Sequence, residues 1–88
     1  MSASRYTILF TRRARKDLHG LDKPVISRVA PAIDALVDDP RPPGCIKVKG
    51  EGNLWRIRVG DWRIGYEIDD SAREVTIIRV GHRSEFYD

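Results

Sequence analysis

An α+β domain is predicted, with two N-terminal helices on one face of a small, mostly antiparallel four-stranded sheet, from three observations in the 88-residue sequence. Apolar residues recur at helical spacing between Thr11 and Asp38. They alternate with a period of two from Leu54 to Tyr66, and from Glu74 to Arg83 they form a nearly continuous β-branched run. The order is strand, helix, helix, then three strands, all in a single domain spanning residues 1–88, because a second domain does not fit this length.

Tyr6 to Phe10 alternate Tyr, Ile and Phe against Thr and Leu and read as the first strand. Thr11 is the N-cap of a helix carrying Ala14, Leu18 and Leu21 on its apolar side and Arg12, Arg13, Arg15 and Lys16 on its outer one. A second helix starts at Asp22-Lys23-Pro24 and runs to Asp38, with Val25, Val29, Ile33, Leu36 and Val37 as its stripe. Pro31 interrupts that stripe, so a kink or a break into two shorter helices is expected there. Asp39-Pro-Arg-Pro-Pro-Gly44 is a stiff connector, and Ile46 to Lys49 add a little extended structure after it.

Leu54 to Tyr66 is a hairpin turning at Gly60-Asp61, where a leading glycine suits a type II′ loop. That turn sets Val59 opposite Trp62, Arg58 opposite Arg63, Ile57 opposite Ile64 and Arg56 opposite Gly65. Trp55, Ile57, Val59, Trp62, Ile64 and Tyr66 then share the core face, and Arg56, Arg58 and Arg63 share the other. Like charges set directly across a sheet repel. An anion, phosphate first among candidates, belongs between them. Asp69 to Ala72 make a second turn, and Glu74 to Arg83 form a strand apolar enough to be interior and covered on both sides.

Composition narrows the function classes. With 41% hydrophobic and 33% charged residues and no long apolar run, a membrane-spanning protein is not indicated, and the opening Met-Ser-Ala-Ser-Arg-Tyr has no signal-peptide core. A cytoplasmic protein is expected. Cys45 is the one cysteine, with no partner for a bridge and no metal-ligand spacing around it; neither His19 nor His82 has the spacing of a metal pair. No metal and no small-molecule cofactor are therefore expected. The net charge of +3 becomes informative because the cations cluster.

Chemistry concentrates where the last strand, Arg79-Val-Gly-His-Arg83, runs into Ser84-Glu-Phe-Tyr87. No nucleophile–base–acid triad and no glycine-rich phosphate loop is readable. A cationic, donor-rich surface with one imidazole and one phenol suits RNA cleavage by the RNA's own 2′-hydroxyl, where the protein positions phosphate, stabilises charge and moves protons. Plainer readings stand beside this one. The arginines could be a solvated sheet face, Arg83 a salt bridge to Glu85 or Asp61, Tyr87 a packing residue, His82 a hydrogen-bonding residue, and Trp62 core.

Lys47-Val-Lys-Gly50, Leu54 to Tyr66 and Val80-Gly-His-Arg-Ser-Glu-Phe-Tyr87, taken in order, resemble the RelE branch of the RelE/ParE toxin superfamily. The resemblance covers nearly the whole chain. It implies a microbial-ribonuclease-like sheet and the toxin of a type II toxin–antitoxin pair that cleaves mRNA in the ribosomal A site without a metal. Its partners would be a cognate antitoxin, RelB-like or other, together with the ribosome and mRNA. The family's catalytic positions fall on Arg56, Arg58, Arg63, Arg83 and Tyr87. RNA contacts are expected besides at Lys47 and Lys49, at Arg12 and Arg13 toward rRNA phosphates, and at Trp62 by stacking on a base. Some relatives carry lysine at the positions of Arg56 and Arg58, and arginine stays charged in proteins. Proton transfer then falls elsewhere, and His82 is the candidate donor to the 5′-oxygen. The chain also stops at Asp88, short of the C-terminal helix of some relatives, so a permanently open site is expected. Two alternatives in other classes are a ParE-like poison of DNA gyrase without nuclease activity and a non-catalytic RNA-binding module.

Overall fold

The Thr11 hydroxyl accepts a hydrogen bond from the Ala14 amide at 3.1 Å, and this cap ends the first strand and begins the first helix. The computed structural model describes residues 5–50 and 52–86. Their order is β1 (Thr7–Phe10), α1 (Arg12–His19), α2 (Lys23–Ala35), β2 (Ile46–Lys47), β3 (Leu54–Val59), β4 (Trp62–Asp69) and β5 (Glu74–His82), followed by a 3-10 turn at Arg83–Glu85. The strands lie side by side as β1-β5-β4-β3-β2, with β1 parallel to β5 and every other pair antiparallel. There are five strands rather than four. Ile46 and Lys47, expected only as extended chain, pair with Arg56 and Trp55 and so form the outer strand.

Pro31 does not divide the second helix, which runs unbroken from Lys23 to Ala35. Proline removes the donor that would meet the Ser27 carbonyl, and both residues are exposed, so water can satisfy that oxygen. The buried side chains Ala14, Val29, Ile33 and Leu36 of the helical half meet Ile57, Ile64, Tyr66, Ile68, Val75, Ile77 and Val80 of the sheet. Each fully buried aliphatic contributes roughly 1.5–3 kcal/mol by transfer from water. The hairpin pairs as the alternation predicts, from Trp55 opposite Tyr66 through Arg58 opposite Arg63 to Val59 opposite Trp62. Gly60 has φ of 62°, the positive value that the first position of a II′ loop requires.

β5 is interior, but its period breaks. Gly65 pairs with Arg79 whereas Tyr66 pairs with Ile77, so Ile78 is an extra residue, a bulge. Its stranded backbone groups are taken up by the first helix. The Ile78 carbonyl accepts from the Thr11 hydroxyl at 2.9 Å, and the Val80 amide donates to the Asp17 carboxylate at 2.8 Å. The bulge moves Val80 into the core with Ile77 and turns Arg79 and Gly81 to the opposite face. That face is only half covered, not sealed on both sides as the apolar run suggested.

Candidate functional site

Two rows of side chains cross the face away from the helices. One runs Ile46, Arg56, Gly65, Arg79 and the other Arg58, Arg63, Gly81, each residue opposite the next on the neighbouring strand. Side-chain alternation therefore unites the predicted Arg56, Arg58 and Arg63, and the bulge adds Arg79, which a strict period of two along β5 would have sent to the core face.

The two glycines leave room for the returning chain. A methyl group at Gly65 would lie 3.6 Å from the Phe86 ring, and one at Gly81 would lie 3.0 Å from that ring and 2.7 Å from the Glu85 carboxylate. Phe86 thus stands on the sheet between the rows, held by the 3-10 turn, with the Arg79 guanidinium 4.4 Å from its ring centre. Phe86 therefore covers part of the face expected to lie open. Arg56 is 8% exposed and Arg63 only 6%, while Arg58 stays exposed. Beside Phe86 a groove of about 570 Å³ remains open toward β2, lined by Lys47, Lys49, Leu54, Arg56, Arg79 and Phe86 among others.

Burying cations at this density has an electrostatic cost. Desolvation first, and then repulsion from Arg63 and Arg58, pulls the Arg56 guanidinium below its ordinary range. Arg63 donates to the Gly60 and Trp62 carbonyls at 3.3 and 3.4 Å, yet its buried Nε makes no hydrogen bond, and neither does that of Arg79. Arg58 and Arg79 form no ion pair among the described residues. A face of concentrated guanidinium donors can hold an anion bearing several oxygens, as a phosphodiester does.

The other predicted residues take different places. Arg83 sits at the hairpin tip, its amide donating to the Asp61 carbonyl at 2.7 Å and its Nε 3.8 Å from the Asp61 carboxylate; the guanidinium is exposed. His82 is opposite Trp62, on the core side of the sheet. Their rings meet edge to face at 5.5 Å, and Nδ1 accepts from the Ser84 amide at 3.2 Å while Glu85 bonds the His82 amide. The structure therefore gives His82 a capping role and does not bring its ring, or that of Trp62, to the arginines. Lys47 and Lys49 are brought to the groove beside Arg56. Arg12 and Arg13 lie exposed on α1, where Arg13 pairs with Asp17 at 3.0 Å. Tyr87 lies outside the described residues.

Sequence reasoning missed Arg79, Phe86, Asp17 and Arg28. Arg28, on α2, reaches the hairpin turn so closely that a methyl group at Gly60 would run into its guanidinium. Only the bulge had a signal: Val75 and Ile77 are spaced as one face, but Val80 falls out of step with them.

Comparison with known proteins agrees with this architecture. Residues 8–87 match the family model described as the ParE toxin of the type II toxin–antitoxin system parDE. The chain is 35% identical to toxin RelG of Mycobacterium tuberculosis over 83 residues, 93% of this chain and 95% of that protein. Among solved structures it resembles the RelBE2 toxin–antitoxin complex of M. tuberculosis, with a TM-score of 0.81 at 32% identity over 96% of this chain and 98% of that one. It also resembles the archaeal RelE–RelB complex of Pyrococcus horikoshii, with a TM-score of 0.79 at 26% identity over 93% and 99% of the two chains. The chain belongs to the ParE toxin family, within the RelE/ParE superfamily of type II toxin–antitoxin toxins.

Proposed function

We propose that this toxin is a ribosome-dependent endoribonuclease that cuts mRNA in the ribosomal A site by attack of the RNA 2′-hydroxyl on the adjacent phosphate. The observation carrying the reading is the register that sets Arg58 against Arg63 with Arg56 on the same face, two of the three nearly buried. In this reading Arg56, Arg58 and Arg63 hold the scissile phosphate and stabilise the charge that builds on it in the transition state. Positive charge supplied by arginine makes the reaction independent of a metal ion. Arg83, exposed at the rim, approaches the leaving side, and Tyr87 supplies the hydroxyl for proton transfer. With its Nδ1 engaged by Ser84, His82 acts through the 3-10 turn that carries the chain toward Tyr87. A protein working on ribosomes acts in the cytoplasm, and no helix among the described residues is long and apolar enough to cross a membrane.

The partner in this reading is a cognate antitoxin that obstructs the arginine face. Both solved relatives above are toxin–antitoxin complexes, and a cationic toxin favours a binding segment containing acidic residues. The test is primer extension of mRNA in a bacterial translation extract with the wild type, Arg63→Ala, Arg83→Ala and Tyr87→Phe. Cuts that require ribosomes and vanish in the variants support the reading. Intact mRNA with inhibited DNA supercoiling would instead favour a gyrase poison, the alternative that the family model's name brings forward.

A further inference from the structure

The groove beside Phe86 lies next to the arginines and shares Arg56 with them, but the phosphate chemistry above uses neither Arg79 nor Phe86. Its floor is Gly65, where the nearest side-chain atoms are Phe86, the Arg79 stem and Leu54 at 3.6–3.8 Å. Arg79 stacks on Phe86 at 4.4 Å, forms no ion pair among the described residues and leaves its buried Nε without a hydrogen bond. The Phe86 ring thus backs the guanidinium on one side. The remaining lining is apolar apart from Lys47, Lys49 and Arg56, with Glu85 the acidic member, so the surroundings favour a polyanion over an acidic-poor apolar peptide. Gly65 is two residues along β4 from Arg63, about 7 Å at ~3.4 Å per residue. Arg79 is opposite Gly65 on the neighbouring strand, so a phosphate at Arg63 and a planar group on the Arg79 guanidinium can belong to one nucleotide or to adjacent ones.

We infer that Arg79 and Phe86 form a nucleobase subsite: a base of the bound single-stranded RNA stacks on the Arg79 guanidinium, which Phe86 backs, while the phosphates lie along Arg56 and Arg63. Unstacked RNA bases are commonly received on aromatic rings and arginine planes in this way. The inference rests on the RNA reading proposed above and adds to it a residue pair that reads the base rather than the phosphate.

The test is fluorescence anisotropy of the full chain with a labelled 2′-O-methyl RNA trinucleotide, compared with versions in which each base in turn is removed. Wild-type protein should bind the intact oligonucleotide roughly 5- to 150-fold more tightly than one of the abasic versions, the ratio equivalent to ~1–3 kcal/mol for a stacked base. Phe86→Ala and Arg79→Lys should bring that ratio close to one. Arg79→Lys keeps the charge, so the salt dependence of binding should stay near the wild-type slope. Phe86→Trp should restore the discrimination. The inference is overturned if the wild type ignores base removal, or if the variants keep the wild-type ratio, which would leave the groove to a protein side chain. Absence of binding to any of the oligonucleotides would overturn the subsite on the isolated protein, whereas loss of the RNA reading itself would show separately as intact mRNA in the translation extract. Phe86 is half-buried at the margin of the fold, and far-UV circular dichroism checks that its variants remain folded.

Discussion

Asp17 is the side chain whose removal should most clearly loosen the path of β5. One carboxylate oxygen accepts the Val80 amide at 2.8 Å and the other the Arg13 Nε at 3.0 Å, with the side chain only 14% exposed. In Asp17→Ala the Val80 amide, stranded by the bulge, has no partner from the helix. A hydrogen bond to a charged group is worth ~1.5–3 kcal/mol, and the exposed i,i+4 pair with Arg13 adds ~0.3–0.5 kcal/mol. The expected loss is therefore about 2–3 kcal/mol, a large part of the ~4–13 kcal/mol available to a domain of this size. At ~4–8 °C per kcal/mol the melting temperature should fall by roughly 8–24 °C. Asp17→Asn keeps an acceptor oxygen and should lose about half as much, while Arg13→Ala should lose no more than ~0.5 kcal/mol. Urea denaturation gives the free energies, and hydrogen exchange at the Val80 amide localises the effect. An Asp17→Ala midpoint within ~0.5 kcal/mol of wild type, or unchanged Val80 protection, would refute the latch.

Gly60→Ala should destabilise by about 1–2 kcal/mol from its positive φ alone, and by more if Arg28 cannot move aside; urea denaturation of the variant checks this. Tyr66→Phe removes the buried hydroxyl that donates to the Pro40 carbonyl at 2.7 Å and should cost about 1–2 kcal/mol, read the same way. In the wild type, burial raises the Tyr66 pKa above its ordinary 10, so the folded chain keeps a proton that the unfolded chain releases. Stability should accordingly fall as pH rises past about 10, and a denaturation series there should show a flatter decline in Tyr66→Phe. At the acid end, hydrogen bonds from Arg41 and Tyr6 hold the Asp70 carboxyl below its usual value, so whatever support it gives is present above the unfolded pKa and lost as pH falls through the folded one. An NMR titration of Asp70 should show a midpoint under its ordinary 3.8.

Periodicity is enough to read the hairpin because both its strands have one buried face and a short loop. Under those constraints a one-residue slip would put Ile57 and Ile64 in water, and the register is determined. The same alternation is sufficient to place Arg56, Arg58 and Arg63 on one face. It fails at β5 because a bulge depends on partners far away in sequence: Thr11 and Asp17 satisfy the backbone groups that the irregularity strands, and neither looks unusual where it stands. Pro31 misleads for a related reason. Its effect depends on whether the freed carbonyl faces core or water, which a linear pattern does not show. Phe86 is invisible as a cover because the glycines that receive it, Gly65 and Gly81, lie on different strands and become neighbours of the ring only after folding.

These misses share a consequence for the site. Without the bulge, Arg79 would point at the core with Ile77, a guanidinium among aliphatics, and Gly81 would leave the arginine face to a side chain. With it, the same strand gives one half of its length to the core and the other half to a cationic surface. The latch from α1 therefore does more than stabilise: it sets which face receives Arg79 and where Phe86 can stand. On the surface it creates, Arg58 faces Arg63 directly and forms no ion pair among the described residues. Hydrophobic residues of similar size would pack there at less electrostatic cost. Retaining arginines in such a setting makes physical sense when an external anion completes the site, because its binding then relieves the repulsion that folding leaves in place.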